Sequence, residues 1–508
     1  MKKTNIEAAN IRKVITASSV GTMIEWYDFY IFGMLAKTIS TQFFPEGNPT
    51  AALLSTLAIF AAGFIVRPFG ALVFGRLGDL IGRKYTFLLT LILMGGSTFL
   101  IGCVPSYATI GIAAPILVLL LRLLQGLALG GEYGGAATYV AEHSPVNKRG
   151  YYTSWIQTTA TLGLFVALGI ILLVKSNMSD AAFNAEWGGW RYPFWISIVL
   201  VGVSIYIRMK MSESPMFSKL KAEGKTSTNP LKESFRNKAN FKMVLLALFG
   251  AVMGQGVIWY TGQFYAQSFL ENTCKVDFEQ SRTLMLIAIA FATPFFILWG
   301  WLSDKIGRKW IMMVGMALAI FTYRPIFQTF LDDTKYEVPE SISPQNLDIK
   351  TSLLSGTQDS LLVSTSNYLL PDGKKFQTKQ IDTIFFNSGQ LSIGKINIIN
   401  KVLPKATYWK FVGLIFLMIL YVTMVYGPIA AFLVEMFPTK IRYTSMSLPY
   451  HIGNGVFGGL VPFIGLLLST TYKTDPLVGL WYPIGVAVLC LVIGTLYLRN
   501  KIDRNIKD

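Results

Sequence analysis

Charged residues are scarce in this chain, and their scarcity decides its broad class. Only 14% of the 508 residues are Asp, Glu, Lys or Arg, whereas 52% are hydrophobic. Soluble domains carry charge at about a quarter of their positions. The composition therefore excludes a water-soluble globular protein and predicts a polytopic membrane protein.

Cysteine and histidine are also rare. The cysteines, Cys103, Cys274 and Cys490, have no metal-site or redox spacing, and the chain contains two histidines. The nucleotide-binding pattern Gly-x-x-x-x-Gly-Lys-Ser/Thr is missing, as is any constellation of nucleophile and base. We therefore expect no metal, no other cofactor and no enzymatic activity, so that any work is driven by an ion gradient such as that of protons.

Long apolar runs, in contrast, are abundant. A helix needs about 20 apolar residues to cross roughly 30 Å of hydrocarbon. Runs of this kind predict an all-α protein with twelve transmembrane helices. Their approximate ranges are 14–37, 52–76, 86–104, 111–133, 153–174, 191–209, 243–270, 282–302, 310–330, 408–433, 443–470 and 477–498.

The net charge is +17, and the positions of the basic residues match the predicted topology. Basic residues cluster on alternate connections, for example at Arg83 and Lys84, while the opposite connections are nearly neutral. The positive-inside rule then places both termini in the cytoplasm. Residues 210–242 form a basic cytoplasmic linker, which either marks topology or binds anionic lipid headgroups. The excess charge therefore requires no nucleic-acid partner.

The chain is an internal duplication. Residues 75–84 read GRLGDLIGRK and residues 300–309 read GWLSDKIGRK, each between two apolar runs. A Glu and an Arg seven residues apart also recur, at 142 and 149 and again at 435 and 442. The second pair is displaced because residues 332–405 are inserted in the second half. We predict six-helix halves at 1–209 and at 243–331 plus 406–508.

The duplicated motifs carry charges of both signs on the cytoplasmic connections. Their glycines let helices approach closely. We expect the charges to close the cytoplasmic end when the halves meet and to separate when the halves rock apart; the alternative is that they only fix topology. The predicted gate residues are Gly75, Asp79, Arg83, Glu142, Arg149, Asp304, Arg308, Glu435 and Arg442.

The inserted residues 332–405 have a different pattern. Short alternating runs at 346–353, 361–366 and 391–399 are typical of strands, and Pro371-Asp-Gly373 is a turn signal. We predict a small β-rich extracytoplasmic domain between the ninth and tenth helices. Because so short a segment has little core of its own, it should lean on the helices. Its role is open between a tolerated decoration and a site for a partner or for substrate delivery.

These motifs resemble the major facilitator superfamily. More specifically, Glu25-Trp-Tyr-Asp-Phe29, Arg67-Pro-Phe-Gly70, residues 122–133 and residues 426–438 resemble the metabolite:proton symporter family. That family includes carriers of α-ketoglutarate, citrate, shikimate and proline or betaine. The resemblance covers all twelve predicted helices, but neither the insertion nor Arg324. It implies proton-coupled uptake of a small organic metabolite across a bacterial inner membrane.

Charged residues inside the predicted helices are the next signal, since each costs about 2.5 to 3.5 kcal/mol or more at the bilayer centre. Glu25 and Asp28 are three residues apart, on one face of the first helix. Arg67, Arg122 and Glu132 are similarly embedded. One interpretation is permanent ion pairs, Arg122 with Glu132 or Arg67 with Asp28. The other is that a carboxylate carries the proton while an arginine holds an anionic substrate.

Polar side chains in the seventh and eleventh predicted helices add further candidates, although aromatic residues there also serve in packing and a lone histidine also serves as a structural donor. The candidate proton-coupling residues are Asp28, Glu25, Glu132 and His451. The candidate substrate-binding residues are Arg67, Arg122, Gln157, Gln255, Trp259, Tyr260, Gln263 and Asn454.

We therefore expect a secondary transporter that takes up a carboxylate or zwitterion with protons by alternating access, as a monomeric functional unit in the lipid bilayer. A transporter-like ligand sensor and an antiporter or efflux carrier are the alternatives. The short tail after Leu498 weighs against a sensor, which needs an output domain. The substrate itself cannot be named from the sequence.

Overall fold

The computed structural model describes residues 19–45, 47–81, 83–131, 137, 140–141, 144–209, 236, 238–338, 343–353, 359–371, 373–385, 390–437, 442–472 and 474–500. At 75–81, 83–87, 146, 208, 352–353 and 442–444 it describes the backbone alone.

Within the described residues, twelve long helices lie where the sequence predicts membrane spans. They are α1 (19–43), α2 (Pro49–Ile65 continued by Arg67–Ile81), α3 (Arg83–Ile101), α4 (Ala113–Gly130), α5 (Arg149–Ser176), α6 (Tyr192–Met209), α7 (Lys238–Thr273), α8 (Phe278–Ala292 continued by Pro294–Ile306), α9 (Lys309–Asp333), α10 (Lys405–Tyr426 continued by Ile429–Met436), α11 (Arg442–His451 continued to Val461–Thr471) and α12 (Trp481–Tyr497). Over the described residues, ten segments are long and apolar enough to cross a membrane, in α2 and in α4 to α12. A shorter apolar stretch, Leu88–Ile101, lies in α3.

Two of these helices are irregular. In α7 the backbone widens to π-helix at Leu248–Val252, Thr261–Tyr265 and Phe269–Thr273, and in α11 at Ile452–Gly458. The two helices touch at Gly256, where a Cβ atom would come within 2.5 Å of the Gly453 carbonyl oxygen. Widened turns of this kind often occur at functional sites. Their presence directs attention to the contact between α7 and α11.

The described structure divides into two compact units. The first comprises Met1–Tyr265, Ile289–Tyr323 and Phe416–Asp508, and the second comprises Ala266–Ala288 and Arg324–Ile415. In the first unit α2 and α4 are in backbone contact, because a Cβ atom at Gly126 would lie 1.8 Å from the Gly63 carbonyl oxygen. This division by packing differs from the predicted division by repeats, because the insertion shares a unit with the neighbouring ends of α7 to α10.

The second unit contains an antiparallel sheet. Its strands are β1 (Asn346–Leu353), β2 (Ser360–Leu369), β3 (Lys375–Ile384), β4 (Leu391–Ser392) and β5 (Asn397–Val402). The order is β1-β2-β3-β4, with β5 also on β3. The predicted turn joins β2 to β3, and Gly373 adopts a φ of 81°, which glycine tolerates best. The insertion is therefore β-rich over its described residues, as the alternating runs predict.

The insertion is joined to the helices of its unit by main-chain hydrogen bonds. Lys401 of β5 forms a parallel bridge with Val276 in the α7–α8 connection. The Lys401 N–H donates to the Lys275 carbonyl at 2.7 Å, and the Asp277 N–H donates to the Lys401 carbonyl at 2.8 Å. The Lys401 ammonium donates to the Thr334 carbonyl, after α9, at 2.6 Å. The sheet thus leans on the helix ends, as expected for a domain with a small core.

Candidate functional site

Arg67 of α2 is a fully buried cation inside the first unit. None of its three guanidinium nitrogens forms a hydrogen bond of ordinary geometry within the described structure. The guanidinium lies over aromatic rings instead, with its central carbon 5.1 Å from the ring centroid of Trp26, 4.5 Å from Phe29 and 4.3 Å from Phe64. The Tyr260 hydroxyl of α7 also interacts with it. Because a buried charge with so few polar partners is costly, this arrangement is suited to receive an anion.

Arg122 of α4 is buried as deeply but is engaged by its neighbours. Its Nη1 donates to the Phe29 carbonyl at 3.1 Å and to the Gln125 side chain at 2.7 Å, while Nη2 donates to the Phe60 carbonyl at 3.4 Å. Gln125 in turn donates to Thr98 of α3 at 2.6 Å. Arg122 therefore ties α1, α2 and α3 to α4. Its predicted partner Glu132 lies outside the described residues.

Aromatic side chains from α1, α2 and α7 meet beside Arg67. Tyr30 stacks between Trp26 and Trp259, with ring centroids 5.0 and 5.2 Å apart. Tyr260 packs edge-on against Phe64 at 4.9 Å. We call Trp26, Tyr30, Phe64, Trp259 and Tyr260 the aromatic cluster. The sequence-based candidates include Trp259 and Tyr260 but miss the other three, although Trp26 and Tyr30 are four residues apart on one helix face.

A small cavity with room for about one water molecule adjoins Arg67. It is lined by Thr22, Glu25, Trp26, Arg67, Leu129, Tyr450 and His451. Neither ring nitrogen of His451 forms a hydrogen bond with any described residue. The cavity thus brings a carboxyl group of α1, a guanidinium of α2 and an imidazole of α11 into one place.

Asp28 has different surroundings from Glu25. Its carboxyl group is fully buried near Ser197 of α6, and neither oxygen accepts a hydrogen bond of ordinary geometry within the described part of the chain. Its neighbour Tyr27 also turns towards α6 and donates to the Pro193 carbonyl at 2.6 Å. Residues three apart on a helix differ in direction by about 60°. The two acids therefore have separate neighbours, although the sequence places them on one face, and no described ion pair joins Asp28 to Arg67.

The predicted amide side chains differ in their hydrogen bonding. Gln255 and Asn454 exchange two hydrogen bonds, at 3.0 and 2.9 Å, and so link α7 to α11. Gln263 is buried in α7, and neither polar atom of its amide has a hydrogen-bond partner among the described residues; the same holds for the indole nitrogen of Trp259. Gln157 is buried in α5. Among the described residues of α7, Gln263 and Trp259 thus have free hydrogen-bonding capacity, as does the side-chain oxygen of Gln267.

A second cluster of charges links α5, α8 and α10; we call Arg149, Asp304, Arg308 and Glu435 the latch. The Glu435 carboxylate accepts from Arg308 Nη2 at 2.9 Å and from Arg149 Nη1 at 3.3 Å. All three side chains are at least 94% buried. Glu435 therefore pairs with an arginine from each repeat of the sequence. The side chain of Arg442, with which the motif aligns it, lies outside the described atoms.

Asp304 completes the latch at the start of α5. Its two carboxylate oxygens accept the N–H groups of Gly150 and Tyr151, each at 2.8 Å, and one oxygen also pairs with Arg308 at 2.7 Å. The first N–H groups of a helix have no partner within the helix and favour a negative charge. This carboxylate therefore caps a helix of the opposite repeat. At Gly75, Asp79 and Arg83 the structure describes the backbone alone, and Glu142 lies outside the described residues.

Known proteins resemble this chain along most of its length. Residues 13–232 match the sugar (and other) transporter family. The proline/betaine transporter of Salmonella typhimurium is 36% identical over 332 residues, which are 63% of this chain and 64% of that protein, so the match spans less than two thirds of the relative. The α-ketoglutarate permease of Escherichia coli is 31% identical over 96% of this chain and 93% of its own length.

Comparison with solved structures agrees with the sequence relationships. The proton:xylose symporter XylE of E. coli superimposes with a TM-score of 0.66 at 15% sequence identity, covering 97% of this chain and 96% of XylE. At that identity the likeness concerns the fold alone. Together with the near full-length relative, it shows that this multi-pass membrane protein belongs to the major facilitator superfamily of transporters and is not an enzyme.

Proposed function

We propose that the protein is a secondary active transporter that takes up a small organic carboxylate or zwitterion together with protons. The observation that carries this proposal is Arg67, a buried guanidinium that forms no hydrogen bond of ordinary geometry in the described structure and lies beside the Tyr260 hydroxyl with aromatic rings around it. The names of the two relatives, a proline/betaine transporter and an α-ketoglutarate permease, fit a carboxylate-bearing solute.

Arg67 and the aromatic cluster suit the two ends of such a solute. A guanidinium binds a carboxylate through two parallel hydrogen bonds. The aromatic cluster offers apolar and π-electron surface to a cationic or apolar group, and the buried amide of Gln263 offers a further donor and acceptor. A zwitterion would place its carboxylate on Arg67 and its ammonium group against the rings.

Proton coupling is proposed to arise from the acids near this site. Glu25 and His451 line the cavity next to Arg67, so both groups lie where a change of charge at Arg67 would act. Arrival of a carboxylate at Arg67 neutralises that charge and favours protonation of the neighbouring acid. Asp28, buried against α6, is the second candidate, and Glu132 is the third. Substrate and proton would then cross together.

The energy of one proton is sufficient for accumulation. Entry of one charge down 100 mV releases about 2.3 kcal/mol, which sustains a roughly forty-fold gradient of a neutral solute. We propose twelve helices in two six-helix halves in a bacterial inner membrane, with both termini cytoplasmic and the insertion outside. The latch then closes the cytoplasmic end, and each monomer is a complete transport unit.

Substrate binding is tested by replacing Arg67. Loss of two hydrogen bonds to a charged group, at about 1.5 kcal/mol or more each, predicts that Arg67→Gln weakens binding roughly 100-fold or more. Isothermal titration of the purified protein with carboxylates and betaines measures this, and Arg236→Gln, at an exposed position, is the control. Equal affinities in the two variants would refute the assignment of Arg67.

Coupling and direction are tested in proteoliposomes. With an inward proton gradient, wild-type protein should accumulate substrate, whereas Asp28→Asn or Glu25→Gln should lose accumulation but retain exchange. If both variants still accumulate substrate, coupling lies with Glu132 or His451. Uptake that is driven only by an outward proton gradient would indicate an antiporter, and binding without any flux would indicate a sensor.

A further inference from the structure

Strand β1 is an open edge of the sheet in the second unit. It pairs with β2 on one side, and no described strand pairs with it on the other. Each residue from 346 to 351 is exposed. An edge of this length presents a row of backbone N–H and C=O groups that another strand can use.

The sequence of β1 is complementary to itself in one antiparallel register. Its two charged residues, Asp348 and Lys350, flank Ile349. If two copies of β1 pair antiparallel about Ile349, each Asp348 lies opposite a Lys350 of the other copy. Centring the pair on residue 348 or 350 would place like charges opposite one another, which is unfavourable. The charges therefore favour the register centred on Ile349, in which both Asp348 residues face a Lys350.

The opposite face of β1 is apolar. Side chains alternate along a strand, so Leu347 and Ile349 share the face away from the charges, where they are 57% and 51% exposed. In the same register, Ile349 meets its copy and Leu347 meets Thr351. Within one chain, Lys350 and Asp348 form an ion pair at 3.5 Å, and their side chains are 79% and 66% exposed. Because such an exposed ion pair contributes little stability, it can be replaced by the same pairing between two chains.

We propose that β1 is a homodimer contact, through which the insertions of two transporters join into one continuous antiparallel sheet. Confinement to a membrane raises the effective concentration of the two strands, so a short interface suffices. Arg67, the aromatic cluster and the latch all belong to one chain, so dimerisation leaves each transport unit intact. The inference is independent of the substrate and of proton coupling.

Disulfide cross-linking in native membranes tests the contact. Ile349→Cys places two thiols across the dimer axis and should give a covalent dimer under mild oxidation. Ile393→Cys, 72% exposed in the same insertion, is the matched control and should stay monomeric. Wild-type protein, in which Cys274 and Cys490 are buried, gives the background. Equal dimer yields from the two variants, or a cross-link to a protein of another mass, would overturn the proposal.

Charge reversal tests the register. In the Ile349→Cys background, Asp348→Lys or Lys350→Asp should lower the dimer yield roughly fivefold, because like charges then face each other. The double reversal should restore it. Both positions are exposed, and unchanged transport by each variant verifies folding. If the dimer yield is the same in all of these variants, the proposed register is wrong.

Discussion

The latch predicts a shift in conformational equilibrium when Asp304 is replaced by Asn. In the structure this carboxylate accepts the N–H groups of Gly150 and Tyr151, which belong to the opposite repeat, and it also pairs with Arg308. These contacts form only when α5 and α8 are together. The substituted amide would keep one acceptor oxygen and no charge, so Asp304→Asn weakens the closed arrangement specifically.

The magnitude follows from those two bonds. A hydrogen bond to a charged group contributes about 1.5 to 3 kcal/mol, and a neutral one about 1 kcal/mol. Exchanging two charge-assisted bonds for one neutral bond therefore costs about 2 to 5 kcal/mol. The ratio of closed to open forms should fall roughly 30- to 4,000-fold. Net uptake should slow because the carrier dwells with this end open.

Thiol accessibility measures the shift. Ser154 of α5 is fully buried where a Cβ atom on Gly300 would lie 2.5 Å away, so Ser154→Cys should react with a membrane-impermeant reagent only when α5 and α8 separate. In this background Asp304→Asn should accelerate labelling from the cytoplasmic side. Asp332→Asn is the control, because that exposed acid pairs only locally, with Gln328 and Lys335. Unchanged labelling together with unchanged uptake would refute the latch.

Three further predictions concern stability. Lys401→Met should lower the thermal stability of the purified protein and slow transport, because it removes the hydrogen bond to the Thr334 carbonyl. Lys395→Met, at an exposed position, should do neither, and equal melting temperatures of the two variants would contradict the prediction. Hydrogen bonds from the Thr109 hydroxyl, and then from the N–H and hydroxyl groups of Ser106, lower the pKa of Glu186 from 4.5 to about 2. The wild-type protein should therefore be more stable than Glu186→Gln above pH 4.5, and this advantage should vanish as the pH falls through about 2. Denaturation at several pH values measures the difference. Gly126→Ala should strongly destabilise the folded protein, because the new Cβ atom would lie 1.8 Å from the Gly63 carbonyl oxygen. Gly169→Ala should not, because no atom lies within 4 Å of a Cβ atom at that position. Similar expression levels and melting temperatures of the two variants would disprove the contact.

Much of the fold is predictable because its causes are local. Apolar runs of span length, basic connections and repeated motifs indicate the helices and their positions without reference to packing. Alternation and the Pro371-Asp-Gly373 turn likewise indicate the strands of the insertion. The contact between α7 and α11 is different, because it joins residues about 200 positions apart in the chain, such as Gln255 and Asn454.

The candidate site shows the same contrast. Arg67 and Arg122 look alike in sequence, since each is a cation in an apolar run. Packing alone distinguishes them: aromatic rings lie over both guanidinium groups, but backbone carbonyls of α1 and α2 accept hydrogen bonds from Arg122, whereas no described backbone carbonyl accepts one from Arg67. In the same way, Glu435 and Arg442 are aligned by the motif, yet Glu435 contacts Arg308 and Arg149.

The sequence by itself therefore determined the class of the protein, its helices, its duplication and the residue types that bear charge inside the membrane. These follow from composition and spacing, which act along the chain. Only the tertiary structure decided which buried charges have partners, because hydrogen bonds and ring contacts form between residues far apart in sequence. That difference distinguishes Arg67, which we propose binds the ligand, from Arg122, which ties the helices together.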